Sequence, residues 1–192
     1  MFKKKYTILI DASRNRSGGA IVYLKNFIKH LNLNSTKIEK IIIFSYKNLL
    51  KKIANRSFLI KRSHIFLEKN LMFQIIWQFI LLPFYLKKNK IDILFTTDST
   101  SFCKYKTSII FNQDILSFDK EALKLIPFSL EKIRLYLIRF VQIRAMNSSN
   151  EIIFLSKFSK KVISKSLNKK LNYKIIYHGI EKRLFKLGKK NL

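Results

Sequence analysis

Short, unbroken apolar runs recur along the chain between stretches of helical periodicity, and this alternation constrains the fold more than any other feature. The runs are Tyr6 to Ile10, Ile41 to Phe44, Ile91 to Thr96, Ser108 to Phe111, Glu151 to Leu155 and Lys174 to Tyr177. A strand with one wet face alternates apolar and polar residues, whereas a strand covered on both faces is apolar along its length. Strand-like runs separated by helices therefore predict a parallel sheet flanked by helices. The expected helices are Ile21 to Leu31, a short one near Leu49 to Ala54, Leu71 to Leu86, Ser129 to Met146, and one opened by Ser156 or Ser159. Phe58-Leu59-Ile60 and Ile65-Phe66-Leu67 are further strand candidates. In the helix from Ser129, Ile133, Leu137, Phe140 and Val141 share an apolar face, while Arg134, Arg139 and Arg144 stay on the polar side. Nothing repeats and no linker interrupts the pattern, so residues 1–192 read as one doubly wound, Rossmann-like α/β domain.

Charge narrows the partners. The chain carries 39 Lys and Arg against 11 Asp and Glu, a formal net charge of +28, which draws a protein towards polyanions. The excess is mostly Lys and travels with many Ile, Asn, Phe and Tyr, which weakens it as a sign of specificity. No zinc finger and no RNA-binding aromatic motif accompanies it, so a nucleic-acid reader is the least favoured reading. The single cysteine, Cys103, excludes an internal disulfide framework, fits a reducing compartment, and reads as a small buried hydrophobe.

The basic start, Lys3-Lys4-Lys5, lacks the apolar stretch of a signal peptide, because the run Ile8-Leu9-Ile10 stops at Asp11. Leu71 to Leu86 falls short of the ~20 residues of a membrane span and contains Gln74, Gln78 and Pro83. It reads either as a buried helix of the domain or as an interfacial helix whose trailing Lys87, Lys88 and Lys90 meet anionic headgroups.

Ligands of an open α/β sheet bind outside the carboxyl ends of its strands, and four candidate sites sit at such ends. In the loop from Asp11 to Ala20, Gly18 and Gly19 let backbone N–H groups approach an anion before a helix N-terminus, and Arg14 and Arg16 can add charge-assisted contacts to phosphate. The loop fits neither the full dinucleotide pattern nor the P-loop pattern, and a Gly-Gly pair there also reads as a plain tight turn. Asn112-Gln113-Asp114 directly follows the strand ending at Phe111; Asp114 is either a base for an acceptor hydroxyl or the cap of the following turn. Asp98 stands among Thr96, Thr97, Ser99 and Thr100, a hydroxyl-rich loop suited to sugar hydroxyls and equally to an ordinary turn. His178-Gly179 follows the last strand, where a lone His is a packing or capping residue more often than a catalyst. No Cys/His cluster, H-E-x-x-H motif or carboxylate pair supports a metal site.

Taken in order, these segments resemble the N-terminal domain of family 4 glycosyltransferases. The resemblance is carried by ILIDASRNRSGGAIVYLKNFIKHL, by IIFNQDILSFDKEALKL with RLYLIRFVQIRAMNSSNEIIFLSKFSKKVI, and by KIIYHGIEKRLF, collinear from about Lys5 to Phe185. It implies the N-terminal, acceptor-side half of a two-domain GT-B enzyme that transfers hexose from a nucleotide-sugar with retention and without a metal or cofactor. By the same resemblance Gly18 and Gly19 match glycines near the donor phosphates. Gln113 stands where many relatives carry His near the reacting sugar, Asp114 matches the acidic or amide residue after it, and Ser156 opens the next helix. An amide orients a hydroxyl but takes no proton, so Gln113 does not inherit a base role.

The chain stops at Leu192, just past the segment resembling the handover to a second domain, so the donor-binding domain with its E-x-seven-E motif is expected to be absent and the chain incomplete alone. The expected function is sugar transfer to a glycan or lipid-linked acceptor in cell-surface polysaccharide synthesis, in the cytoplasm or peripherally on the inner membrane face, with an anionic membrane surface and a separate donor-binding chain as partners. The rivals are a non-catalytic binding subunit or remnant of a split enzyme, and a basic nucleic-acid-binding protein.

Overall fold

The computed structural model describes residues 5–16, 18–34, 37–168, 172–177 and 179. Among the described residues seven strands form one sheet: β1 (Tyr6–Asp11), β2 (Ile38–Phe44), β3 (Leu59–Arg62), β4 (Ile93–Thr96), β5 (Ser108–Asn112), β6 (Glu151–Phe154) and β7 (Asn172–Ile175). Their spatial order is β3-β2-β1-β4-β5-β6-β7, and every pairing is parallel. The order reverses between β1 and β4, which makes their carboxyl ends the topological switch point of a doubly wound sheet.

Helices cover both faces. On one, α1 (Gly18–His30) and α2 (Lys47–Lys52) pack Leu24, Ile28, Leu49 and Leu50 against Ile10, Ile43, Phe95 and Phe111. On the other lie α3 (Ile65–Glu68) and a long helix made of α4 (Leu71–Ile76), a π turn (Trp77–Leu81) and α5 (Leu82–Lys88), over Leu9, Ile42, Phe44 and Leu94. That second face continues over Ile110, Ile152 and Phe154, beneath α7 (Leu130–Ser148) and α8 (Lys157–Ser164). A 3₁₀ turn (Leu116–Phe118) and α6 (Lys120–Leu125) connect β5 to α7. Burial on both faces explains the unbroken apolar runs, since Ile41, Ile42, Ile43 and Phe44 are all core.

The π turn has an identifiable cause. Pro83 lacks an N–H and its ring crowds the carbonyl four residues earlier, so the helix widens just upstream, where Leu82 N–H bonds Trp77 O. Buried Gln74, Gln78, Leu82 and Leu86 are spaced by four. In a regular helix that spacing drifts by about 40° per step, and the wider turn returns part of the drift and keeps the row on the sheet.

Several sequence expectations change. Ile65-Phe66-Leu67 is helix α3 rather than a strand, because His64 Nδ1 accepts from Phe66 N–H and caps it. Helix α1 begins at Gly18, three residues before Ile21, with Gly18 in the left-handed region (φ 61°) that glycine enters without strain. The short helix is Lys47–Lys52 rather than Leu49 to Ala54, and the last strand is Asn172–Ile175 rather than Lys174 to Tyr177. The inward face of α7 holds Leu135, Gln142, Ala145 and Met146, while Ile133, Leu137 and Phe140 are exposed. Gln142 is inside because it closes a buried polar network: it accepts from Ser117 Oγ (2.5 Å) and donates to Ser99 Oγ (2.9 Å). Ser156 caps α8 in a capping box with Ser159, as the sequence suggests.

Candidate functional site

A cleft of about 500 Å³ opens at the β1/β4 switch point. Arg14, Asn15 and Arg16 reach it from the loop after β1, Thr97 to Thr100 from the loop after β4, and Gln113 and Asp114 from the tip of β5. Leu71 and Gln74 of α4 and Arg134, Ile138 and Gln142 of α7 close its sides. Three strand tips distant in sequence therefore share one rim, because parallel strands in this order end on the same edge.

The rim is held by buried hydrogen bonds. Asp11, the last residue of β1, is buried; its carboxylate accepts from Ser13 N–H (3.1 Å) and from Gln78 Nε2 (2.8 Å). Burial raises the Asp11 pKa above its ordinary value, the bonds from Ser13 and Gln78 offset this in part, and the nearby charge of Asp98 adds to the rise. Gln78 also donates to Ser13 Oγ (3.1 Å) and accepts from Phe102 N–H (3.3 Å), so this π-turn residue ties the loop after β1 to the loop after β4. Thr97 Oγ1 donates to Asn15 Oδ1 (2.9 Å) across the same gap. Asn112 donates to Ser99 Oγ (3.2 Å), which brings β5 into the network.

Above this frame sit the groups exposed to a ligand. Arg14 Nε lies 3.4 Å from Asp98, and the pair is partly exposed. Asp98 Oδ1 also accepts from Thr100 N–H and Oγ1, both at 2.8 Å. Arg16 donates to the carbonyls of Leu67 and Lys69, with its guanidinium 4.6 Å from the Tyr46 ring, so it braces the turn into α4 as well as lining the cleft. Arg134 pairs with Glu131 at 2.7 Å on the exposed face of α7. Gln113 Nε2 donates to Thr97 O (3.0 Å), which leaves its Oε1 as the acceptor available to a hydroxyl. Asp114 Oδ1 accepts from Leu116 N–H (2.9 Å), the capping role considered from sequence. The arrangement can hold an anion against guanidinium groups and orient hydroxyls with an amide and a carboxylate.

Of the residues singled out from sequence, Arg14, Arg16, Asp98, Gln113 and Asp114 line the cleft together. Gly18 and Gly19 form the first turn of α1 beside it, one residue before lining Ala20; both are exposed, and a Cβ built on either meets nothing within 4 Å. His178 lies outside the described residues, and Gly179 is exposed. Sequence reasoning missed Gln142, Arg134 and Gln74 as lining residues and Gln78 as the clamp. The usable signal was a polar residue on an otherwise apolar helix face, as at Gln74 and Gln78.

No protein-family model and no curated protein matches the sequence. Solved structures with the same fold include the lipopolysaccharide outer core galactosyltransferase WaaB in its apo form, with a TM-score of 0.52 at 15% identity over 91% of this chain and 46% of that one. HepE of Anabaena in complex with UDP gives 0.52 at 16% identity, over 97% of this chain and 49% of that one. The same protein with UDP and glucose gives 0.51 at 16%, over 96% and 50%. The chain thus spans about half the length of each. At such identities the likeness establishes the fold, the Rossmann-like parallel sheet of GT-B glycosyltransferases, as expected from sequence.

Proposed function

We propose that this chain forms the acceptor-side wall of a glycosyltransferase that moves a hexose from a nucleotide-sugar to a glycan or lipid-linked acceptor in cell-surface polysaccharide synthesis. The observation that carries the reading is the cleft itself: three arginines, two carboxylates and the Gln113 amide converge at the switch point of a fold shared with a galactosyltransferase and with a protein solved in complex with UDP and glucose. A nucleotide-sugar brings a diphosphate and several hydroxyls. Arg14 and Arg134 suit the first, aided by the N-terminal end of α1 at Gly18 and Gly19. Asp98 suits the second, which leaves Gln113 to the acceptor.

In the transfer, the bond from the anomeric carbon to the departing diphosphate breaks and a bond from that carbon to the acceptor oxygen forms. Gln113 orients the acceptor hydroxyl, and Asp114 is the ionisable group at that strand tip able to take its proton or to favour its departure. Following the family 4 resemblance, the reaction is retaining and metal-independent. A second unit, on another chain or in further sequence, supplies the opposite wall and most of the donor contacts, which excludes water from the reacting centre.

Calorimetric titration with UDP-glucose and other nucleotide-sugars tests the reading. Saturable binding that weakens about tenfold in Arg14→Gln supports it, in line with the loss of one charge-assisted contact. Equal binding by wild type and Arg14→Gln refutes this placement of the donor.

A further inference from the structure

The helices over one face of the sheet carry apolar residues on both sides. Along α4, the π turn and α5, Met72, Ile76, Ile80 and Phe84 form an exposed row spaced by four, opposite the buried row, with Met72 and Phe84 at 70% and 65% exposure. On α7, Leu130, Ile133, Leu137 and Phe140 form a second exposed row, and Phe140 is 67% exposed. Both helices pack on the same side of the sheet: α5 covers Leu94, α7 covers Ile110, and Ile110 pairs with Thr96, two residues along from Leu94 on the same face. Both helices also line the cleft, so the two rows flank its opening.

Cations frame this face. Lys87 and Lys88 end α5, and Lys87, Lys90, Lys104 and Lys106 surround Ile91; the carboxylate among them, Asp92, accepts from Thr7 N–H. Beside α7, Glu121 and Glu131 are paired with Lys124 and Arg134, while Lys120, Lys132 and Arg139 add further positive charge. Among the described residues no helix is long and apolar enough to cross a membrane, and exposed apolar rows beside cations are the composition of a surface that lies in an interface.

We propose that the outer face of α4–α5 and α7 docks on an anionic lipid bilayer, with the two apolar rows at the boundary between headgroups and acyl chains and the lysines on lipid phosphates. The inference rests on the reading above for the identity of a lipid-linked acceptor, whose headgroup would then lie level with the cleft mouth. A second enzyme wall would meet the strand tips, not this lateral layer. A second copy of the chain would bring another +28 charge against the first, whereas an anionic bilayer complements it.

Vesicle flotation of the 192-residue chain at physiological salt tests the proposal, with phosphatidylcholine alone and mixed with phosphatidylglycerol. Binding is expected to the mixed vesicles. The combined variant Ile80→Ser, Phe84→Ser, Leu137→Ser and Phe140→Ser should lower it by more than about tenfold. Lys87→Gln and Lys88→Gln should each lower it by about fivefold. Val22→Ser, an exposed change on α1 across the sheet, should leave it unchanged. Should the combined variant not fold, an environment-sensitive dye on Phe84→Cys should shift to the blue with mixed vesicles, and the same dye on Val22→Cys should not.

Three results overturn the proposal: no binding to mixed vesicles, binding that follows charge and ignores the apolar variants (a general polyanion surface, nucleic acid included), or a wild-type dimer that these variants dissociate. UDP-glucose titration of the same variants keeps the two ideas apart. Donor binding that survives in a chain indifferent to lipid sinks the docking face alone, and lipid binding without donor binding sinks the transferase reading alone.

Discussion

Replacing Gln78 by Leu removes the clamp between the two loops at the switch point while nearly conserving volume, so little of the effect comes from a cavity. Three hydrogen bonds go: Nε2 to the Asp11 carboxylate at 2.8 Å, Nε2 to Ser13 Oγ at 3.1 Å, and Phe102 N–H to Oε1 at 3.3 Å. A bond to a charged group is worth about 1.5–3 kcal/mol and a neutral one about 1, and the lost partners are buried or part-buried, so the expected destabilisation is about 4 kcal/mol. Gln74→Leu, four residues earlier on the same buried row, loses one bond to Lys69 O and should cost about 1 kcal/mol. Urea unfolding measures both, with an unchanged m-value confirming that the transition is the same one. A double-mutant cycle with Asp11→Asn should show coupling of about 1–2 kcal/mol, because the charged component of the bond is then already gone. Equal costs for Gln78→Leu and Gln74→Leu, or strict additivity with Asp11→Asn, would refute the clamp.

Further expectations are equally direct. Because the folded state raises the Asp11 pKa above 3.8, the folded protein holds that proton more tightly than the unfolded chain; this contribution is present at low pH and is lost as pH rises from near 3.8 through the folded value. The stability of wild type relative to Asp11→Asn should therefore fall with pH across that window, and a rise would contradict the burial argument. Asp114→Asn keeps an acceptor for Leu116 N–H, while Asp114→Ala loses it and should cost about 1 kcal/mol on unfolding. In the assembled enzyme a proton acceptor at Asp114 makes both variants slow by about 100-fold or more, whereas recovery of rate in Asp114→Asn would leave it only a turn-forming role. Burial, with the Asp11 charge adding to it, pushes the Cys103 thiol up, so a thiol reagent should modify it only on unfolding; fast labelling of the native protein would contradict its place in the core.

Much of the fold was legible because the strands are buried on both faces: Ile8-Leu9-Ile10 and Ile41 to Phe44 could be little other than central strands of a covered parallel sheet. Site residues at strand tips followed from the same logic, since the chain must leave each strand at the edge where ligands gather, and Arg14, Asp98 and Gln113 were legible for that reason. Three features were harder to read. A three-residue apolar run such as Ile65-Phe66-Leu67 suits a strand or a helix, and the capping imidazole of His64 decided it. The direction of α7 was misread because an apolar row was assumed to face the core, whereas Gln142 turns inward to meet Ser99 in the loop after β4 and Ser117 in the 3₁₀ turn, both far away in sequence. Gln78 reads as an interruption of an apolar helix until Asp11 is seen beneath it.

On the reading proposed above, the cleft at the β1/β4 switch point receives a nucleotide-sugar. Amide chemical-shift mapping with UDP-glucose on isotopically labelled protein tests it most directly. Saturable shifts are expected at Arg14, Arg16, Gly18, Gly19, Thr97, Asp98 and Gln113, with little change around Lys104 and Lys106 by the amino ends of β4 and β5. Shifts spread evenly over the lysine-rich surface, or none at all, would contradict it.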